Sequence, residues 1–317
     1  MSDALGERRA PIGPHPGRGL GALVIAGIAW GSSGTLGTLL TRSSGLSLMA
    51  AGGYRIAVGG LLVAAFVLVT RQLRLPTRRA GWVRVFGIAG CSALYQVAFF
   101  TAIGSIGVAL STLVAIGSAP ILVLLVDAAT GRHRLDLRSV GTVAMALGGL
   151  VLLVGTPPLG VTPNALLGGV GLALLAGVGF AGISLLGGRP EPDFQNLTGT
   201  ALAFLIGGVV VLLLASVVGP VTFTPTPRSL LLVVALGLVP TAVAYLAYLH
   251  GLRTHSSTTG VLVSLLEPLT AALLAAILLG EWLTTPALVG AALLLGAVTL
   301  TATGTRRRPT PEPGKLG

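Results

Sequence analysis

Long hydrophobic runs separated by short polar breaks occupy the chain from Leu20 to Thr303. Each run has about 18 to 25 residues, enough for an α-helix to cross a hydrocarbon core of about 30 Å. The runs lie at approximately 20–40, 46–69, 82–104, 108–127, 139–156, 165–187, 196–218, 229–251, 257–280 and 284–303. They lack a two-residue alternation and are longer than the strands of a membrane barrel. The pattern therefore predicts an all-α integral membrane protein with ten transmembrane helices, here called spans 1 to 10.

The two halves of the chain repeat the same order of features. Three pairs of identical residues are separated by about 149 positions: Tyr95 with Tyr245, Pro120 with Pro268, and Gly141 with Gly290. Each repeat holds five spans, an odd number, so the second repeat enters the membrane from the opposite side. Inverted repeats of this kind are typical of secondary transporters, whose binding sites lie near the bilayer midplane between the repeats.

The repeat defines the predicted domain boundaries. The first five-helix repeat covers residues 19–156 and the second covers residues 157–304. The tails, 1–18 and 305–317, are rich in Pro, Gly and Arg, a composition that predicts disorder.

Composition limits the possible functions. Only 9% of the residues are charged and 53% are hydrophobic, whereas soluble domains have about 25% charged residues. The net charge of +11 comes from basic residues between apolar runs, so no nucleic-acid partner is predicted and the main surroundings are the lipid bilayer. Cys91 is the only cysteine and Lys315 the only lysine. These facts exclude an internal disulfide and an ATP-binding Walker A loop, and no cofactor or metal site is predicted.

The basic residues predict the orientation, because positively charged loops remain in the cytoplasm. If the N-terminus is inside, 17 of the 20 basic residues fall on the cytoplasmic side, and only Arg42 and Arg228 fall outside. We therefore expect a multi-pass protein of the bacterial cytoplasmic membrane with both termini in the cytoplasm. Trp82 and Trp282 fit interfacial anchors on opposite faces.

Two charged residues are expected at the bilayer midplane. Arg55 lies near the middle of span 2 and Glu267 near the middle of span 9. A charge at the centre of a membrane helix costs about 2.5 to 3.5 kcal/mol on insertion scales, so such residues are candidates for function. Two alternatives follow: a direct ion pair, or separate contacts of the two residues with a solute or a coupling proton in one cavity.

Polar aromatic residues accompany these charges at similar depths. Tyr95 and Gln96 lie on span 3, Tyr245 and Tyr248 on span 8, and Trp30 on span 1. Each could simply pack between helices. Together they are typical of a pocket for a small amphipathic solute, and we predict that they orient it.

Two prolines and three ionisable residues complete the candidates. Pro120 and Pro268 are predicted to leave a backbone carbonyl one turn earlier without its partner and to soften gating helices, although packing kinks would explain them too. Asp127, His250 and Glu281 lie near span ends, where solvated or interfacial roles are expected.

Small residues at four-residue spacing predict narrow helix faces that allow close approach of another backbone. They are Gly27 and Gly31 in span 1, and Gly169, Ala173, Gly177 and Ala181 in span 6.

Four segments carry a resemblance to a known family. They are Trp30-Gly31-Ser32-Ser33, Tyr54-Arg55-Ile56, Leu265-Leu266-Glu267-Pro268 and Leu279-Gly280-Glu281-Trp282-Leu283. With the duplicated five-span units, they make the chain similar to the EamA-type drug/metabolite transporters. The resemblance implies a ten-helix basket with a cavity lined mainly by spans 1, 3, 4, 6, 8 and 9. It also implies movement of small metabolites, often amino-acid export, commonly coupled to proton or solute gradients. Glu281 lacks a counterpart in the first repeat, which has Thr130-Gly131-Arg132-His133 there.

The sequence thus predicts a secondary active transporter that exports an amino acid or similar small molecule by alternating access. Proton coupling, and a monomer or a homodimer, remain open. One alternative is a multidrug or metabolite importer or exporter of the same fold. Another class is a channel or scramblase, which would show rings of like charge or a continuous polar stripe. A membrane-embedded enzyme is not predicted, because no nucleophile with its base is visible at membrane depth.

Overall fold

The computed structural model describes residues 16–131, 137–154, 161–188, 196–279 and 284–304. All regular structure in these ranges is helical. The elements are α1 (Pro16–Ser44), α2 (Leu48–Val69), α3 (Arg79–Ala129), α4 (Leu137–Val154), α5 (Pro163–Gly187), α6 (Asn196–Val218), α7 (Pro227–Gly237), a π-helical segment (Leu238–Val243), α8 (Ala244–Gly251), α9 (Ser257–Val263), α10 (Leu266–Leu279) and α11 (Thr285–Gly304). Residues 1–15 and 305–317 of the predicted disordered tails lie outside the described residues, as do Arg132, His133, Glu281 and Trp282. The prediction of disorder is wrong for residues 16–18, which form the start of α1.

The ten predicted spans are present, although their division differs from the prediction. Spans 3 and 4 share the long helix α3, which is interrupted at Gly107 with φ 79° and ψ 166°. Glycine adopts this left-handed region without a Cβ clash, so the chain turns there without a polar loop. Within the described residues, nine helices are long and apolar enough to cross a membrane, and the apolar stretch Thr285–Thr301 of span 10 is shorter. The all-α, ten-helix prediction is confirmed.

Span 8 is not a uniform α-helix. Its α7 and α8 segments are joined by the π-helical segment, which contains Pro240 and Thr241. Proline has no N–H to donate, and a wider π turn accommodates such a gap in the hydrogen-bond ladder. The Thr241 hydroxyl donates to the Leu236 carbonyl at 3.2 Å.

Span 9 is interrupted just before Glu267. Its α9 segment ends at Val263 and α10 begins at Leu266, so Pro268 lies in the first turn of a new helix rather than in mid-helix. The expectation that Pro268 leaves the carbonyl one turn earlier without a partner is wrong. That carbonyl, of Ser264, accepts the Glu267 backbone N–H at 2.9 Å.

The packing of the spans follows the repeat. Span 2 packs on span 7 (α2 on α6) and span 5 on span 10 (α4 on α11). Spans 3 and 4 pack on span 6 (α3 on α5), and their counterparts, spans 8 and 9, pack on span 1 (α8 and α10 on α1). Each contact of one repeat thus has a counterpart in the other: spans 3, 4 and 6 correspond to spans 8, 9 and 1. Two inverted five-helix repeats are expected to show this correspondence.

The small-residue faces lie where helices approach closely. A Cβ on Gly27 would come within 3.0 Å of the Val263 carbonyl, and one on Gly31 within 2.9 Å of the Glu267 carbonyl. A Cβ on Gly177 would similarly lie 2.9 Å from the Ala115 carbonyl of α3. The predicted close approach is therefore present at these positions, and span 1 is held directly against the interruption in span 9.

Gly290 provides a test of this packing. A Cβ there would lie 2.5 Å from two backbone atoms of α4, the Gly149 carbonyl oxygen and the Leu153 nitrogen, so Gly290→Ala must separate the two helices. We expect a loss of about 1 to 3 kcal/mol of stability, measured by thermal unfolding in detergent. Gly296→Ala on the same helix is the control, because its Cβ would meet only the Met145 side chain at 3.6 Å. Equal melting temperatures for the two variants would contradict this packing.

Candidate functional site

Arg55 and Glu267 line the same cavity at the centre of the helix bundle. Its lining comes from seven different spans: Trp30, Arg55, Tyr95, Ile116, Phe180, Tyr245 and Glu267. The family resemblance implied six of these spans. Span 2, which carries Arg55, is the addition.

Arg55 is anchored by hydroxyl groups rather than by an acid. It is 9% exposed, and its guanidinium donates from Nη1 to the Ser33 hydroxyl at 2.6 Å and from Nε to the Thr241 hydroxyl at 3.3 Å. Guanidinium has five N–H donors, and these bonds engage two of them. The Tyr245 side chain also lies within hydrogen-bonding reach of the guanidinium. None of its nitrogens lies within 4.0 Å of a Glu267 carboxylate oxygen. The two charges thus face the cavity without forming an ion pair.

The π-helical segment explains how Thr241 reaches Arg55. Pro240 interrupts the regular ladder of span 8, and the Thr241 hydroxyl lies between the Leu236 carbonyl, to which it donates, and the Arg55 Nε, from which it accepts. Insertions of one π turn in α-helices occur frequently at functional sites. This turn fixes the position of the cavity cation.

Glu267 lies in the first turn of α10, immediately after the interruption in span 9. The residue is partly exposed although Pro268 beside it is buried. A carboxylate in the first helical turn is stabilised by the unpaired N–H groups and the helix dipole, typically by 0.3 to 1 kcal/mol. The interruption therefore helps to hold an anion in a site surrounded by apolar helices.

Aromatic rings form the walls of the cavity around Trp30. The Trp30 ring centroid lies 5.7 Å from that of Phe180, 5.1 Å from that of Tyr245 and 5.0 Å from that of Tyr248. Trp30 is only 2% exposed, and its indole Nε1 has no hydrogen-bond partner. A buried N–H donor without a partner costs about 1 to 3 kcal/mol.

The other sequence-predicted residues divide between the cavity and its supports. Tyr95 and Tyr245 line the cavity. Gln96 instead faces span 2, where its Nε2 donates to the Gly52 carbonyl at 3.1 Å. Tyr248 is fully buried outside the cavity lining and donates to the Ser184 hydroxyl at 2.8 Å. The structure thus brings together only part of the predicted set.

Of the two roles expected for Asp127, solvated or interfacial, the structure excludes the solvated one. Asp127 is 4% exposed and accepts a hydrogen bond from the Thr258 hydroxyl at 3.1 Å. Asp127 is buried because the start of span 9 packs over the end of span 4. His250 is exposed, as an interfacial residue would be, and Pro120 is buried within a helix that continues past it.

Sequence reasoning missed four residues of the site, namely Phe180, Ile116, Ser33 and Thr241. Two of them carried a signal. Phe180 lies 150 positions after Trp30, so the repeat itself pairs these aromatic residues across the cavity. Thr241 follows a proline inside a membrane span, a position where the backbone departs from an α-helix.

The groups facing the cavity suit reversible binding. Within the described residues, no three His, Cys, Asp or Glu side chains come together as a metal site would require. The cavity is lined by one basic and one acidic residue, two tyrosines and a tryptophan, together with Ile116 and Phe180.

Comparisons with known proteins agree with this architecture. The family model described as the EamA-like transporter family matches residues 17–155 and 167–303. The chain is 31% identical over 290 residues to the "Uncharacterized transporter YwfM" of Bacillus subtilis, covering 92% of this chain and 95% of that one. It is 25% identical over 298 residues to the "Uncharacterized inner membrane transporter YicL" of Salmonella typhimurium, covering 92% and 97%.

A solved crystal structure shares the fold. It superposes with a TM-score of 0.76 at 21% identity, covering 90% of this chain and 99% of that chain. The family matches, the relatives and the shared fold span both five-helix repeats. The chain therefore belongs to the EamA-like transporter family and is a multi-pass membrane transporter.

Proposed function

We propose that this transporter is a secondary active carrier that exports a small zwitterionic metabolite, an amino acid or a close analogue, by alternating access. The observation that carries the proposal is that Arg55 and Glu267 line one cavity without pairing with each other. A buried ion pair is complete in itself, whereas two separate charges of opposite sign can each bind one counter-charge of the same solute.

The chemistry of each charge defines one end of the solute. A guanidinium matches a carboxylate, and Arg55 lines the same cavity as Trp30, whose indole N–H has no partner among the described residues. The Glu267 carboxylate matches an ammonium group. The aromatic walls then contact the apolar part of an amphipathic solute. These groups favour an amino acid over an inorganic ion.

We further propose that the termini lie in the cytoplasm of a bacterium and that the protein resides in the cytoplasmic membrane. The exposed Arg71, Arg74, Arg78 and Arg79 lie between spans 2 and 3. This location supports a cytoplasmic position for the loop under the positive-inside rule. The end of the bundle that carries this loop is called the arginine-rich end below.

A binding comparison tests the solute class. Purified protein is heated with each standard α-amino acid, and with the decarboxylated amine and the deaminated acid of any that stabilise it. We expect an amino acid to raise the melting temperature and each single-charge analogue to raise it much less, because a ligand stabilises by RT ln(1 + [L]/Kd). Equal stabilisation by the amine would contradict the proposal and favour a multidrug carrier of cations. Flux that fails to saturate in proteoliposomes would favour a channel.

A further inference from the structure

Side-chain hydrogen bonds join four cavity-lining spans at the arginine-rich end of the bundle. Thr258 of span 9 donates to the Asp127 carboxylate of span 4 at 3.1 Å. Tyr248 of span 8 donates to the Ser184 hydroxyl of span 6 at 2.8 Å, and Ser257 donates to the Ser184 carbonyl at 3.2 Å. We call these five residues the polar layer.

The polar layer closes the helix bundle between the cavity and the arginine-rich end. Asp127 lies eleven residues beyond Ile116 on α3, about 16 Å along the helix axis towards the arginine-rich end. On span 9, every residue from 258 to 266 is buried, and the polar layer includes the fully buried Tyr248 and Ser184. The six of these residues that lie in α9, 258–263, exceed one helical turn and so cover every face of that helix. No open path therefore follows span 9 at this end.

The opposite end is packed much less tightly. No residue from 269 to 274 of span 9 is buried, and none from 32 to 39 of span 1. Each stretch is longer than one helical turn and therefore includes residues on every face of its helix. The residues that point to the neighbouring spans are thus accessible too. The structure is therefore closed at the arginine-rich end and loosely packed at the other.

We propose that the hydrogen bond between Asp127 and Thr258 is the gate that closes the transport path at the arginine-rich end. It is the side-chain bond of the polar layer that joins spans 4 and 9, which are equivalent in the two repeats. The identification of this end as cytoplasmic rests on the proposed function and topology.

The chemistry of this bond suits repeated opening. Both partners are polar, so water that enters on opening satisfies the Asp127 carboxylate and the Thr258 hydroxyl and offsets the lost bond. An apolar contact of the same size would instead oppose the entry of water. The backbone also allows motion, because the interruption at Ser264 and Leu265 separates the segment with Thr258 from the segment with Glu267.

A cysteine-accessibility experiment tests the gate. The single natural cysteine is removed by Cys91→Ser, and Ile116→Cys places a reporter in the cavity lining. The native Ile116 side chain is 2% exposed, so a maleimide reaches this position only when one end of the path opens. A membrane-impermeant maleimide is applied to right-side-out and inside-out vesicles of the full-length protein. In the protein that keeps Asp127 and Thr258, we expect the maleimide to modify the reporter cysteine mainly from the side opposite to the arginine-rich end.

Removing the bond is expected to increase modification from the arginine-rich side. Thr258→Val and Asp127→Asn each remove or weaken one charge-assisted hydrogen bond, so we expect modification from the arginine-rich side to rise about tenfold. Thr258→Ser keeps the hydroxyl and should retain the closed behaviour. Thr142→Val is the matched control, because this buried hydroxyl bonds only to the Arg138 carbonyl of its own helix.

The outcomes separate the gate from the proposed function. Unchanged modification in Thr258→Val and Asp127→Asn, or the same rise in Thr142→Val, would overturn the gate. No solute is needed, so an incorrect substrate class leaves the result intact. If the protein has the opposite orientation, the results of right-side-out and inside-out vesicles would be exchanged in every sample, the control included. That outcome would contradict the proposed topology and leave the gate intact.

Discussion

Replacing Arg55 with alanine is expected to weaken amino-acid binding at least thirtyfold and to reduce transport accordingly. Loss of one partner from a buried, hydrogen-bonded charge pair costs about 2 to 5 kcal/mol, because the solute carboxylate would lose its counter-charge in an apolar site. The hydroxyls of Ser33 and Thr241 would remain but carry no charge. The measurement is amino-acid affinity by calorimetry, followed by solute counterflow in proteoliposomes.

Two further variants make the Arg55 result specific. Arg228→Ala removes an exposed arginine outside the cavity and should leave affinity within about twofold. Arg55→Lys keeps the charge but lacks the planar fork that reaches Ser33 and Thr241 together, so intermediate affinity is expected. Wild-type affinity in Arg55→Ala would remove Arg55 from the binding site.

Replacing Glu267 with glutamine is expected to reduce amino-acid affinity at least tenfold. The amide has nearly the same shape and can still accept a hydrogen bond, but it lacks the negative charge that matches an ammonium group. The fold should survive, since the lost interaction with the start of α10 is worth only about 0.3 to 1 kcal/mol. Equilibrium binding of a radiolabelled amino acid measures the change.

Glu267→Asp is the control for charge. It retains a carboxylate on a shorter side chain, so it should bind the amino acid better than Glu267→Gln does. If the glutamine variant binds and transports at the wild-type level, the carboxylate has no part in recognition. If both variants melt many degrees below the wild type, the residue is mainly structural.

Much of the fold was predictable because the bilayer imposes a simple rule. Each span must be a helix of about twenty apolar residues, and that length is visible in the sequence. Gly107 was harder, because one glycine replaces the expected polar loop between spans 3 and 4. The interruption in span 9 also escaped prediction, since Pro268 is compatible with both a mid-helix kink and the first turn of a new helix.

The candidate site was only partly predictable for a similar reason. Arg55 and Glu267 are conspicuous because charges are rare at membrane depth, and the structure places both in one cavity. The hydrogen-bond partners of Arg55 are a serine and a threonine, residue types that also bond to their own helix backbone in most spans. Asp127 depends on a contact between distant spans, and its position near a span end gave no indication of Thr258.

The most direct test of the account compares the two single-charge analogues of the stabilising amino acid in two variants. The quantity measured is the dissociation constant of the deaminated acid and of the decarboxylated amine for Arg55→Ala and Glu267→Gln. We predict that Arg55→Ala weakens binding of the acid and spares the amine, whereas Glu267→Gln weakens binding of the amine and spares the acid. Equal losses of both analogues in both variants would contradict a cavity in which Arg55 and Glu267 bind opposite ends of one solute.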